Sequence, residues 1–408
     1  MTQAVSETSE KTLGAGVHST RAWQLAALNA VASLFLLISF ARNGVDTTTA
    51  EGCVRQLLDF HVFWTAGALA LEGTPLAAFD YAVLDARYNV CGEAWMPWLH
   101  PPPVMALMMP FGAFGLVPAW ALFNLFSVVT LAIALRPFTQ GISPVWLAMI
   151  LAPAYLPAMM AGQFTLLWLA GLLGALAALR AERWVLAGVL IGCLTIKPPL
   201  GVLIPFALLA IGAWRTIIAA TVTTIALHGV FTLVFGGLEY WTGLLANYDD
   251  LTASAVAALG EVNAMTSISS VLTHLGVSED LAVQANLAVA AALALTVFIT
   301  WRRFGPKSDI ACAVLTASIP LATPYLWHYD SAFLALTGLF LARHLNFAPG
   351  PAMTLLIVAC WFGAGFSLWI AASTLPVDLP PVLTVPPILL LAFAASLYHS
   401  AINPREGR

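Results

Sequence analysis

Residues 217–235 read IIAATVTTIALHGVFTLVF, a run of 19 residues without a charged side chain. Residues 22–40 and 282–300 are similarly long and equally free of charge. About 20 apolar residues allow a helix to cross the ~30 Å hydrocarbon core of a bilayer. Backbone amides find no hydrogen-bond partner in lipid, so a spanning segment of this kind must be helical. These stretches therefore predict membrane-spanning helices.

The composition agrees with a chain that is largely embedded in lipid. It has 408 residues, of which 60% are hydrophobic and 9% charged, whereas a soluble domain carries about 25% charged residues. We interpret the first apolar segment as a retained helix, because a polar stretch precedes it and no small-residue cleavage site is present. We predict an all-α polytopic membrane protein with a single domain over residues 22–401. Its helices, about twelve by hydropathy, are expected at approximately residues 22–40, 119–135, 143–159, 164–179, 184–197, 199–214, 216–235, 281–300, 309–324, 330–343, 352–372 and 384–401.

The basic residues orient these helices, since Lys and Arg concentrate in cytoplasmic loops. We expect cytoplasmic tails at residues 1–21 and 402–408, and long outer loops at 41–118 and 236–280. The basic residues placed inside are Lys11, Arg21, Arg136, Arg180, Arg183, Arg215, Arg302, Arg303, Lys307, Arg343, Arg405 and Arg408. Those left outside are Arg42, Arg55, Arg87 and Lys197. Function is therefore expected at the outer, periplasmic surface.

Residues 100–117 are apolar but are not counted as a span. Counting them would move Arg180 and Arg183 to the outer side. The three prolines at 101–103 lack backbone donors and favour an extended entry into the segment. We therefore predict an interfacial or re-entrant segment within the first outer loop.

Polar residues recur at the outer ends of the apolar segments. Ionisable groups at such borders are costly, which makes them functional candidates. Asp59 stands out because it lies in Leu57-Leu58-Asp59-Phe60-His61, beyond the first span. The other candidates are His100, Gln163, Lys197, His328, Tyr329 and Asp330.

Each candidate also has a purely structural explanation. Lys197 could bind an anionic phosphate or merely extend to the interface. His328 could donate to a phosphate or sugar hydroxyl, or be satisfied within the protein by Tyr329 and Asp330. Gln163 could contact a sugar or bridge two helices. Four tryptophans near the outer border could stack on a sugar, although aromatic residues are common at membrane interfaces: Trp64, Trp95, Trp98 and Trp327.

Several other kinds of site are absent from the sequence. It contains no Gly-rich phosphate loop, dinucleotide fingerprint or His-Glu-x-x-His helix, and no metal-ligand spacing. We therefore expect no metal site, no cofactor and no nucleic acid partner, while a metal requirement of the reaction stays open. Cys53 and Cys91 share the first outer loop, where an oxidising compartment would permit a disulfide, but the spacing does not decide whether they pair.

Several of these residues fall in motifs with a known relative. The chain resembles the GT-C superfamily of membrane glycosyltransferases, specifically glycosyltransferase family 87, which includes polyprenyl-phosphate-mannose-dependent mannosyltransferases. The resemblance covers most of the chain, and His100 departs from it because an aromatic residue is commoner there. The motifs are Asp59-Phe60-His61-Val62-Phe63-Trp64-Thr65-Ala66-Gly67, Leu71-Glu72-Gly73 with Phe79-Asp80, His100-Pro101-Pro102-Pro103, Gly162-Gln163, Ala187-Gly188, Ile196-Lys197-Pro198, Thr323-Pro324 and His328-Tyr329-Asp330.

The resemblance implies a GT-C-like bundle in a bacterial inner membrane, with an essential aspartate at Asp59 and an active site facing the periplasm. It also implies a polyprenyl-phosphate-linked sugar as co-substrate, mannose by default, and a glycan or glycolipid acceptor. A carboxylate partly removed from water suits a general base, and Lys197 and His328 could stabilise the departing phosphate. Direct displacement would invert the anomeric centre. We expect the donor to be contacted by Lys197, His328, Gln163, His100, Tyr329, Asp330 and Trp64.

Two other functions remain open at this stage. A transporter or lipid flippase for an envelope glycolipid would also have many broken helices, but its ionisable residues should line a path between the two faces. A non-catalytic partner in envelope assembly would not need the outer polar residues to converge. The arrangement of those residues in three dimensions distinguishes the three.

Overall fold

A computed structural model describes residues 20–39, 58–88, 97–258, 264–372 and 381–402. Within these ranges the regular elements are helices, and one isolated bridge joins Met265 to Trp327. The α-helices are α1 Thr20–Ser39, α2 Leu58–Leu71, α3 Tyr81–Tyr88, α4 Pro102–Gly112, α5 Leu116–Leu135, α6 Pro144–Ile150, α7 Leu156–Ala161, α8 Thr165–Arg180, α9 Trp184–Cys193, α10 Ile204–Ala210, α11 Trp214–Val234, α12 Leu238–Ala258, α13 Ile268–His274, α14 Glu279–Phe304, α15 Asp309–Ala322, α16 Phe333–His344, α17 Pro351–Ala372 and α18 Pro381–Ile402. Short 3-10 turns at Leu194–Ile196, Pro198–Gly201 and His328–Ala332 interrupt or precede some of them.

Six helical stretches of the described chain are long and apolar enough to cross a membrane. They are Thr20–Ser39, Leu116–Phe138, Pro144–Ala161, Trp214–Val234, Glu279–Phe304 and Pro381–Ile402. The predicted all-α membrane protein is thus confirmed, and each of the twelve predicted segments overlaps a helix. Several of these helices are shorter than a full span, as α16 is with 12 residues. Twelve crossings therefore remain a prediction.

One end of the bundle is held together by an arginine clamp around Asp309. Asp309 Oδ1 accepts hydrogen bonds from Arg180 Nη2 at 2.8 Å and Arg343 Nε at 2.9 Å. Arg343 Nη1 also donates to the Phe138 carbonyl, and the Arg180 guanidinium lies 5.0 Å from the centre of the Phe138 ring. The clamp joins the end of α8 and the end of α16 to the beginning of α15. The beginning of α8, Thr165, lies about 24 Å away along a helix of 16 residues.

Glycines allow α2 and α4 to pack closely. A Cβ on Gly67 would lie 2.5 Å from the Met108 carbonyl oxygen, and one on Gly112 would lie 2.5 Å from the Ala68 nitrogen. Helix α4 has 11 residues, about 16 Å of helix, which is too short to cross a ~30 Å core. This length suits the interfacial or re-entrant segment expected at 100–117.

Gly67→Ala is expected to destabilise the protein by about 1–3 kcal/mol, because the new methyl group meets backbone rather than a movable side chain. Gly229→Ala is the matched control. Gly229 lies in α11, and a Cβ there meets nothing within 4 Å. Thermal unfolding in detergent should show a lower midpoint for the first variant and no loss for the second. Equal midpoints for the two variants would contradict the packing described.

Candidate functional site

Asp59 lies at the first turn of α2, in contact with the segment that joins α7 to α8. Gln163 Nε2 donates a hydrogen bond of 2.6 Å to Asp59 Oδ2. Gly162, the residue before Gln163, ends α7 with a φ of +67°. A Cβ on Gly162 would lie 2.6 Å from the Phe60 Cβ. A left-handed turn in close contact with α2 requires glycine. The Gly162-Gln163 pair thus brings the amide to the carboxylate.

Lys197 forms a buried ion pair with Asp330. Its Nζ lies 2.7 Å from Asp330 Oδ1 and 2.8 Å from Oδ2, and 4.8 Å from the centre of the Tyr329 ring. Lys197 lies between two 3-10 turns with non-helical backbone angles, φ −134° and ψ 77°, as expected for a residue before Pro198. This break in the chain directs a lysine from the end of α9 toward the beginning of α16.

Thr165 completes the polar cluster. It is the first residue of α8, and its hydroxyl donates a hydrogen bond of 2.7 Å to Asp330 Oδ1. Sequence reasoning missed Thr165, since the only indication was its position two residues after Gln163 at a predicted helix start. We call Asp59, Gln163, Thr165, Lys197 and Asp330 the acidic–basic cluster.

The cluster holds two carboxylates and one ammonium group. Burial raises the pKa of the Asp59 carboxyl above its ordinary value; the Gln163 hydrogen bond and the Lys197 charge lower that pKa, and the Asp330 charge raises it. Asp59 therefore lies within electrostatic reach of the ion pair. A carboxylate with a raised pKa is a stronger base than one in water.

Two histidines adjoin the cluster, and both are neutral at pH 7. Burial lowers the pKa of His328 to about 4, and its Nδ1 is buried without a hydrogen-bond partner. Burial, then the Lys197 charge, lowers the pKa of His100 to about 3. The His100 ring lies 4.9 Å from that of Phe63 and 5.8 Å from that of Phe164. Both imidazoles can act as uncharged hydrogen-bonding groups.

The tryptophans occupy different environments. Trp64 donates its indole N–H to the Phe114 carbonyl, and fully buried Trp98 donates to the Tyr240 hydroxyl. The Trp327 ring is half-buried and stacks on that of Tyr329 at 6.1 Å. Trp327 thus contacts Tyr329, whose ring lies beside the Lys197 ammonium. Cys53, Cys91 and Trp95 lie outside the described residues.

A comparison with known families gives the chain its place. The model of glycosyltransferase family 87 matches residues 98–324, more than half of the chain. The protein belongs to glycosyltransferase family 87. No curated protein and no solved structure matches it.

The family assignment confirms the resemblance seen in the sequence and makes this protein a membrane glycosyltransferase. The matched region includes Gln163, Thr165 and Lys197, whereas Asp59 and Asp330 lie on either side of it. In this family 87 glycosyltransferase the fold therefore joins side chains from inside and outside the matched region. Among the described residues, no group of three His, Cys, Asp or Glu side chains is arranged to hold a metal ion.

Proposed function

We propose that this family 87 protein transfers a sugar from a polyprenyl-phosphate-linked donor to a hydroxyl acceptor, with inversion and with Asp59 as general base. The observation that carries the proposal is the buried acidic–basic cluster, in which Asp59 lies within electrostatic reach of a lysine ammonium. Such a site offers a proton acceptor and an anion-binding group together. Mannose is the donor sugar suggested by the resemblance.

The positions of the charged residues support an outward-facing site. The arginine clamp lies at one end of α8, and Thr165 of the acidic–basic cluster lies at the other. Basic residues mark the cytoplasmic end of a membrane protein. The cluster then faces the periplasm of a bacterial inner membrane.

A lipid-linked donor fits this side of the membrane. Nucleotide sugars and ATP are not normally available there, so the activated sugar must arrive through the lipid. Helix α11 packs on α9 at Gly188 and Gly192 of α9. Thr216 is the one buried residue of α11, so most of this helix is exposed. Lys197 follows α9 by four residues. The end of α9, packed against the exposed helix α11, thus leads to the segment carrying the ammonium group that would hold the phosphate.

The reaction is a single displacement. Asp59 accepts the proton of the acceptor hydroxyl as its oxygen bonds to the anomeric carbon. The bond between that carbon and the phosphate oxygen breaks at the same time, and polyprenyl phosphate leaves with the electron pair. The Lys197 ammonium and the neutral His328 imidazole stabilise the negative charge that develops on the phosphate. Entry and departure on opposite faces invert the anomeric centre.

The charge distribution favours transfer over transport. In the six candidate spans every charged residue lies near a helix end: Arg21, Arg136, Arg215, Glu279, Asp280, Arg302 and Arg303. A transporter or flippase would be expected to carry ionisable groups along a path between the two faces. In those six spans the one Asp, Glu, Lys, Arg or His away from a helix end is His228, which bonds to Thr195, and a single group makes no path.

The proposal is tested with the purified protein in lipid vesicles and polyprenyl-phosphate-mannose labelled in the sugar. We expect transfer to a polyprenyl-linked or soluble glycan acceptor with an inverted linkage, and no transfer from nucleotide-linked mannose. Polyprenyl-phosphate-arabinofuranose supplied in parallel identifies the sugar. Transfer from the nucleotide donor alone would contradict the proposal.

Gln163→Leu is expected to move the acidic limb of the kcat/KM profile to higher pH. The Gln163 N–H stabilises ionised Asp59 and lowers its pKa, so its loss raises that pKa further. Only the ionised form accepts a proton, so more alkaline conditions are then needed for the same activity. The profile is measured with saturating donor and subsaturating acceptor; an unmoved limb would contradict the contribution of Gln163.

A further inference from the structure

Both oxygens of the buried Asp330 carboxylate are engaged by protein groups. Its Oδ1 accepts hydrogen bonds from both Lys197 and Thr165, and its Oδ2 accepts one from Lys197. The Asp330 side chain is 3% exposed, whereas that of Lys197 is 17% exposed. Lys197 is therefore the more open member of the pair, and the Asp330 carboxylate is enclosed by protein.

We infer that Asp330, held by Thr165, is a positioning residue that orients Lys197 toward the donor phosphate and does not itself contact the sugar. This inference rests on the proposed function and assigns Asp330 a different role from the donor contact expected from sequence. An ammonium has three N–H donors, and Asp330 engages two of them. The third is left for an anion.

Thr165 and Asp330 are well placed to hold the lysine still. Asp330 lies in a 3-10 turn that runs directly into α16, whose first ten residues are fully buried. Its carboxylate meets the N-terminal end of α8, where the helix dipole favours negative charge. A flexible lysine side chain loses rotamer entropy when it binds a ligand. Holding it in place beforehand removes much of that cost.

Without the Asp330 charge, the ammonium has a second carboxylate within electrostatic reach. That group is Asp59, whose pKa the Lys197 charge already lowers. Among the described residues, Tyr329 and His328 also lie near the carboxylates, and His100 lies near Lys197. Burial is the main cause of the raised Asp59 pKa, and the Asp330 charge adds to it. Asp330→Asn removes that added contribution and frees Lys197 to pair with Asp59. The acidic limb of the pH profile should then move to lower pH.

The test compares two matched substitutions of buried threonines. Thr165→Val should raise the donor KM about tenfold, the value of one hydrogen bond to a charged group, with little change in kcat or acceptor KM. Thr337→Val is the control, because the Thr337 hydroxyl is also buried and bonds to Thr316 and the Phe333 carbonyl, away from the cluster. Thr337→Val should lower the unfolding temperature and leave the donor KM unchanged. Thr165→Ser restores the hydroxyl and should recover most of the lost affinity.

Asp330→Asn should raise the donor KM further and shift the acidic limb downward. Adding Thr165→Val to it should have little further effect, because both act through one carboxylate. If Thr165→Val lowers the unfolding temperature as Thr337→Val does but leaves the donor KM at the wild-type value, the positioning role is overturned. The threonine variant decides the question even if Asp330→Asn does not fold.

Binding of radiolabelled polyprenyl phosphate to the protein in nanodiscs separates this inference from the proposed function. If the wild type does not transfer sugar but binds this lipid, and Thr165→Val weakens the binding, the positioning role stands and the transfer proposal fails. If the wild type transfers sugar and Thr165→Val binds this lipid as tightly as the wild type does, the transfer proposal stands and the positioning role fails. If the wild type neither binds this lipid nor transfers sugar, the positioning role and the transfer proposal are both overturned.

Discussion

Asp59→Asn is expected to lower kcat for sugar transfer by about 10²–10⁴-fold, the usual contribution of a general base. The substitution preserves shape and leaves an oxygen to accept the Gln163 hydrogen bond. It removes the Asp59 carboxylate, which is the proposed proton acceptor and whose charged form burial disfavours. The unfolding temperature should therefore be unchanged or higher, and the donor KM close to that of the wild type. Initial rates with labelled donor, together with thermal unfolding, measure both effects.

Glu72→Gln is the matched control for this loss of a carboxylate. Glu72 belongs to the segment after α2 and pairs with Arg87 at 2.8 Å, but both side chains are more than two-fifths exposed. Such surface pairs contribute about 0–1 kcal/mol. The control should transfer sugar at a rate close to that of the wild type. Full activity in Asp59→Asn would rule out the proposed base.

Lys197→Met is expected to lower both stability and donor binding. It leaves the Asp330 carboxylate buried without its cation, and breaking a buried ion pair in this way costs about 3–5 kcal/mol. The same change removes the group proposed to hold the donor phosphate, so donor KM should rise more than acceptor KM. Lys307→Met is the control, because its pair with Glu182 is about two-thirds exposed and should matter little.

The double variant Lys197→Met with Asp330→Asn separates the two effects. Removing both charges restores neutrality to the buried site, so most of the lost stability should return. Donor binding should not return, because no ammonium is present. Denaturant unfolding and donor titration of the single and double variants give the comparison. A double variant that binds donor as well as the wild type does would show that Lys197 has no phosphate role.

The positions of the helices could be predicted from the sequence more fully than which of them cross the membrane. Long charge-free runs such as those of α11 and α14 follow directly from bilayer thickness. The segment predicted at 143–159 was less regular than its hydropathy indicated: prolines at 153 and 157 divide it into α6, a 3-10 turn and α7. Helix α16 is as apolar as a span but is packed by protein over nearly its whole surface. Hydropathy does not distinguish a helix buried in protein from one exposed to lipid.

The pairing within the site could not be predicted. Sequence reasoning selected Asp59, Gln163, Lys197 and Asp330 because polar residues are costly at membrane borders, and the structure brings their side chains together. It could not show that Lys197 pairs with Asp330, 133 positions away, and not with Asp59. The hydroxyl of Thr165 gave no signal of its own, because threonine is common in apolar helices. Trp64 was a candidate by position, but its described hydrogen bond is to Phe114.

The most direct test of the central claim is an electron cryo-microscopy structure of the protein with bound polyprenyl phosphate. The account predicts phosphate density in contact with Lys197 Nζ, near Asp59, with the lipid tail leaving the protein toward the bilayer. Phosphate density at the arginine clamp around Asp309, or at any site out of reach of Asp59, would contradict it.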